Sequence, residues 1–138
     1  MRERLPGAEI SAEQLRARNW WQGPSLFILV DDYDLVTAAP MNPLMPLLEY
    51  AMQARDIGLH IILTRRSGGA GRSLFETFLS RLREIGSPGI VMSGEREEGA
   101  LIGTVRPTRL PPGRGFLVNR RDGSRLVQLA WLPPDDGA

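Results

Sequence analysis

Five consecutive apolar residues, Leu26 to Val30, run directly into Asp31-Asp32-Tyr33-Asp34. A run that is continuously apolar, without alternation, predicts a parallel strand covered on both faces, with the acids at its carboxyl end. Leu59 to Leu63 repeats the pattern and ends in Thr64-Arg65-Arg66, and Gly89 to Met92 is a shorter third strand. Between them lie helical patterns. Ser11 and Gln14 form a capping box that opens a helix over 11–19. Leu44, Leu47, Leu48, Ala51 and Met52 fall at helical spacing within 43–56, with Gly58 placed as a carboxyl-terminal cap. Ser73 and Glu76 form a second capping box, for a helix reaching Ile85, and 95–102 reads as a short helix interrupted by Gly99. Beyond a proline- and glycine-rich loop over 106–115, Phe116 to Val118 and Leu126 to Trp131 flank Asp122-Gly123, a tight hairpin signal. Alternating strands and helices give an α/β class: a three-layer, mostly parallel sheet with right-handed crossovers, finished by a carboxyl-terminal antiparallel hairpin.

Composition narrows the chemistry. The chain has 138 residues, 42% of them apolar and 24% charged, as expected of one globular domain or part of one. A net charge of +1 provides no field to recruit nucleic acid or an anionic membrane. No apolar run approaches the roughly 18 residues of a membrane span, and the first ten residues are charged, so a soluble cytoplasmic chain is expected. The absence of cysteine and the presence of a single histidine exclude thiolate and paired-histidine zinc sites. All 17 basic residues are arginine. A phosphate loop of the form GxxxxGK[ST] needs a lysine, so none is complete here.

The acidic strand end has two readings. It is either an ordinary solvated turn or the acidic edge of a magnesium-nucleotide site, with Asp31 on the metal side and Asp32 orienting the attacking water. Asp34 reads as a turn or capping residue. At the end of the next strand, Thr64 could sense a terminal phosphate and Arg65 or, with less support, Arg66 could neutralise charge; otherwise these are polar groups at a strand end. His60, inside an apolar strand, reads as a packed core residue. Gly71-Arg72-Ser73 imitates the end of a phosphate loop, but Arg66 stands where its first glycine would be, so 68–73 reads as a flexible connector. Arg120, Arg121 and Arg125 bracket the hairpin as a solvated edge, and Trp20 and Trp21 are expected to pack beneath the sheet.

Taken together, "VDDYD", "QARDIGLHIILTRRSGG", "GIVMSGEREEGALIG" and "LPPGRGFLV", in this order, resemble the carboxyl-terminal FtsK/SpoIIIE-like ATPase module of the EccC proteins of type VII secretion, over about residues 5–134. The resemblance implies a RecA-like P-loop fold, ATP and Mg2+ as ligands of the parent domain, and a homo-hexameric motor held at the cytoplasmic side of the membrane by the rest of the secretion complex. It also implies WXG100-type protein substrates. Asp31 corresponds to the metal-side acid and Asp32 to a position that is glutamate in efficient hydrolases. Aspartate is shorter by about 1.5 Å, and a misplacement of that size can cost about a hundredfold in rate.

The family's phosphate-binding loop has no counterpart in these residues. The expectation is therefore the distal part of one ATPase domain over 1–132, with an amino-terminal portion missing and a disordered tail over 133–138, binding nucleotide weakly and not hydrolysing ATP alone. Two alternatives stay open. One is a non-catalytic module that recognises secretion substrates; the other is a piece of an FtsK-like DNA translocase, which the charge balance disfavours.

Overall fold

A computed structural model describes residues 1–37, 41–73, 76–130 and 132, so the expected tail over 133–138 lies outside the described residues. The chain divides into two compact units, Met1–Arg65 and Arg66–Ala138. Among the described residues no helix is long and apolar enough to cross a membrane.

The first unit contains α1 (Ala12–Ala17), β1 (Leu26–Val30), α2 (Tyr33–Thr37), α3 (Leu48–Ala51) and β2 (Leu59–Leu63). The expected capping box is present: the Ser11 hydroxyl accepts from the Gln14 amide at 3.2 Å, and the Gln14 side chain accepts from the Ser11 amide at 3.0 Å. The helix expected over 43–56 is shorter. A 3-10 turn at Met45–Leu47 leads into α3, and turns follow from Met52 to Gly58. Pro46 lies within this 3-10 turn and accounts for the late start of α3, because it has no amide to donate back along an α-helix. Gly58 is left-handed (φ +62°), as expected of a cap, but it serves the turn into β2, and its carbonyl accepts from the Leu26 amide at 2.7 Å.

β1 and β2 pair in parallel, with Leu26 opposite Leu59 and Val30 opposite Leu63. One face of this ribbon packs on a core of Tyr50, Ile57 and Leu59, joined by Ile28, Ile61, Leu5 and Trp20. Trp20 donates from Nε1 to the Arg4 carbonyl at 3.1 Å, while the Trp21 ring lies under the Arg4 guanidinium at 4.5 Å. Coverage of both faces is not realised among the described residues. Phe27, Leu29 and Ile62 are 56%, 74% and 49% exposed. His60 shares this open face instead of packing in the core, and its ring stacks on Phe27 at 4.5 Å. Period-2 geometry gathers these four residues on one side.

The second unit contains α4 (Ala70–Ser73), α5 (Thr77–Glu84), β3 (Gly89–Val91), β4 (Arg114–Asn119) and β5 (Gly123–Gln128). α5 starts later than expected, because its cap is Glu76 and not Ser73: the Glu76 carboxylate accepts from the amides of Phe78 and Leu79. The residues over 95–102 form only a 3-10 turn, Arg96–Glu98, that ends at left-handed Gly99. β3 also differs from expectation. It pairs antiparallel with β4, giving a three-stranded sheet in the order β3-β4-β5, so parallel pairing among the described strands is confined to β1 and β2. The hairpin is as read: Asn119 pairs with Gly123 (φ +72°), and its side-chain oxygen accepts from the Asp122 amide at 2.7 Å. Ala70, Val91, Leu101 and Val118 form the core, with Ile102, Val105 and Phe116 packed on it. The α/β class thus stands, as a parallel ribbon and an antiparallel sheet.

Ile57 is fully buried, so Ile57→Ala is expected to lower the unfolding free energy by about 2–5 kcal/mol in urea titrations followed by circular dichroism. Leu29→Ser on the open face should change it by less than about 0.5 kcal/mol. A large loss at Leu29 would show that this face is covered.

Candidate functional site at the acidic strand end

The parallel ladder continues one step past both strands. The Thr64 amide donates to the Val30 carbonyl at 2.9 Å, and the Tyr33 amide donates to the Thr64 carbonyl at 2.8 Å. Thr64 is thereby fixed beside the acidic turn. Its hydroxyl donates to Asp31 Oδ1 and accepts from the Asp32 amide at 3.2 Å, so one side chain joins both acidic residues. Asp31 and Thr64 are exposed, whereas Asp32 is half-buried.

Asp32 carries the turn. Its φ of +48° is left-handed, a conformation that aspartate adopts more readily than most side chains, and it redirects the chain from β1 into α2. Tyr33 then drops into the interior with no exposed surface, and its hydroxyl accepts from Asn42 Nδ2 at 2.7 Å. Such backbone strain costs about 1–3 kcal/mol and is characteristically kept at functional positions.

Asp34 has a role that sequence reasoning missed. It lies in the first turn of α2, and its Oδ1 accepts from Arg65 at 2.7 Å in a partly buried ion pair. Thirty-one positions separate the two residues, so no local pattern could have announced it. Four of the residues read as candidates or their neighbours, Asp31, Asp32, Thr64 and Arg65, thus come together at one strand end with Asp34. His60 stands apart from this cluster, four residues before Thr64 on the open face of β2, where its ring stacks on Phe27. Among the described residues no three histidine, aspartate or glutamate side chains converge as a metal cage. Magnesium does not require one, because it commonly takes one or two carboxylates and completes its shell with water and phosphate oxygens. An exposed Asp31 carboxylate, with one oxygen already oriented by Thr64, fits that role.

The glycine-rich segment after Arg66 is held more firmly than a flexible connector. The Glu98 carboxylate accepts from the amides of Gly69 at 2.7 Å and Gly71 at 3.1 Å, and Ser67 Oγ donates to the Ser93 carbonyl at 3.1 Å. A Cβ at Gly71 would collide with the Glu98 carbonyl oxygen, so glycine is required for this approach. These amides already serve a carboxylate of the same unit, which supports the reading that the segment is not a phosphate loop.

Thr64→Val keeps the shape of the side chain and removes the bridge. Stability is expected to fall by about 0.5–1.5 kcal/mol, with faster hydrogen exchange at the Asp32 amide by NMR. Unchanged exchange there would mean that the hydroxyl does not hold the turn.

No family model matches the chain. Relatives are nevertheless clear. The chain is 54% identical over 134 residues to the ESX-4 secretion system protein EccC4 of Mycobacterium tuberculosis, covering 97% of this chain and 11% of that protein. It is 53% identical over 131 residues to the ESX secretion system protein EccC of Thermomonospora curvata, covering 95% and 10%. It is 40% identical to the ESX-1 secretion system protein EccCb1 of Mycolicibacterium smegmatis, covering 99% and 23%. It therefore spans between about a tenth and a quarter of the length of these relatives. Among solved structures, the cytoplasmic domain of the T. curvata type VII secretion ATPase EccC matches with a TM-score of 0.84 at 53% identity, over 96% of this chain and 15% of that one. A T. curvata EccC structure comprising ATPases 2 and 3 in complex with a signal sequence peptide matches with the same score and identity, over 24% of its chain. In sequence and in fold, over nearly its whole length, this chain is a homologue of the EccC proteins of type VII secretion, matching a carboxyl-terminal ATPase module with a P-loop NTPase fold.

Proposed function

We propose that the chain supplies the metal-side and phosphate-sensing edge of a nucleotide site in a type VII secretion motor ATPase, and that by itself it does not hydrolyse ATP. The observation that carries this reading is the Thr64 hydroxyl, which joins the Asp31 carboxylate to the Asp32 amide. Asp31 would hold the magnesium ion of magnesium-ATP, and the ion would neutralise charge on the phosphates. Thr64 ties the position of that carboxylate to the end of β2. Asp32 would orient water only weakly, because its side chain is short and its backbone is fixed in the left-handed turn. Arg65, paired with Asp34, is the cation nearest in sequence to Thr64. The phosphate cradle of such a site requires a lysine-bearing loop, and this sequence has no lysine.

Calorimetric titration of the isolated chain with magnesium-ATP should therefore give a dissociation constant weaker than about 1 mM. Micromolar affinity would overturn the division of the site.

A second contribution, to substrate engagement, is favoured by the T. curvata relative whose structure includes a signal sequence peptide. In this reading the parent is a homo-hexameric motor, peripheral to the membrane within the secretion complex, acting on WXG100-type proteins. Similarity to secretion proteins and a net charge of +1 both favour it over a DNA translocase. A carboxyl-terminal signal peptide from such a substrate should bind the chain with no nucleotide present, measured by fluorescence anisotropy. No binding at millimolar peptide would remove this reading.

A further inference from the structure

The second unit carries an open groove of about 630 Å³ between α5, the turn at Ile102–Val105 and the end of the β4–β5 hairpin. This volume lies within the roughly 300–1,000 Å³ of typical ligand sites. Ile102, Val105 and Val118 contribute its apolar lining. Two guanidinium groups also line it. Arg83 is exposed and makes no ion pair or side-chain hydrogen bond with a described residue. Arg120 commits one N–H to the Glu84 carbonyl at the end of α5, out of the five donors a guanidinium carries. Among the described residues lining the groove the one carboxylate, that of Glu84, is paired with Arg81 at 2.8 Å. The hydroxyls of Ser80, Thr104 and Ser124 line the same space, and none has a side-chain partner among the described residues. Positive charge, open donors and an aliphatic surface therefore share one recess.

We propose that this groove receives an extended acidic peptide segment of a partner protein, with a carboxylate held by Arg83 and Arg120 and a neighbouring aliphatic side chain resting on Ile102 and Val105. Charge complementarity selects the occupant: a basic segment would meet two guanidinium groups against a single carboxylate that Arg81 already pairs, and a small inorganic anion would leave the apolar surface uncovered. The inference deepens the substrate-engagement reading and rests on it, but it is independent of nucleotide, because every group involved belongs to the Arg66–Ala138 unit.

The test is fluorescence anisotropy of the full chain with a labelled octapeptide of alternating glutamate and leucine, set against its lysine-leucine counterpart. The acidic peptide should bind and the basic one should not. Arg83→Glu and Thr104→Glu, both at exposed groove positions, should each weaken binding by about tenfold, while the exposed Arg106→Glu outside the groove should leave it unchanged. Inorganic phosphate at millimolar concentration should not compete. If neither peptide binds, the groove is overturned, while the signal-peptide titration decides substrate engagement separately. If the acidic peptide binds but Arg83→Glu and Thr104→Glu do not weaken it, the groove is overturned and engagement elsewhere on the chain survives. Equal binding of both peptides, or displacement by phosphate, would also overturn it.

Discussion

The candidate site depends on the parallel pairing of β1 with β2. With Val30 opposite Leu63, the next residues along the two strands are Asp31 and Thr64, and the backbone bonds joining Thr64 to Val30 and Tyr33 lock them side by side. A slip of one residue would turn every side chain of β1 to the other face and separate the carboxylate from the hydroxyl. Parallel strands have no hairpin turn to fix this register. Here it is set by burial of Ile28 and Ile61 on the Tyr50, Ile57 and Leu59 core. Packing some distance from the acids thus decides which polar groups meet at the strand end.

That cluster separates structural from chemical duties. Asp34 is engaged with Arg65, and Tyr33 is buried as an anchor, so the sequence Asp-Asp-Tyr-Asp does not present three equivalent acids. Asp31 and Asp32 lie outside that ion pair, and they differ: one carboxylate is exposed and oriented by a hydroxyl, whereas the other belongs to a strained turn.

Features set by neighbours in sequence were legible. The Ser11 capping box, the two apolar strands and the Asp-Gly hairpin each follow from a few contiguous residues, and the ends of those strands are where Asp31, Asp32, Thr64 and Arg65 meet. What escaped was set by partners distant in sequence. Nothing near β3 announces that its partner is β4, Glu98 reaches Gly69 across 29 positions, and Asp34 reaches Arg65 across 31. The shift of the α5 cap from Ser73 to Glu76 has a subtler origin, since glutamate in a capping box and glutamate as the cap itself produce the same local sequence. The open face of β1–β2 contradicts its apolar run because no described element packs there.

The left-handed backbone of Asp32 bears on how this position could change. Aspartate and asparagine reach that conformation because a short polar side chain can hydrogen-bond locally, whereas a longer side chain pays more of the roughly 1–2 kcal/mol per residue that left-handed geometry costs. Lengthening the acid to glutamate, as the family resemblance invites, would therefore be opposed by the turn before any chemistry began. A redesign aimed at hydrolysis must first rebuild the exit from β1, so that the backbone bend falls on a different residue.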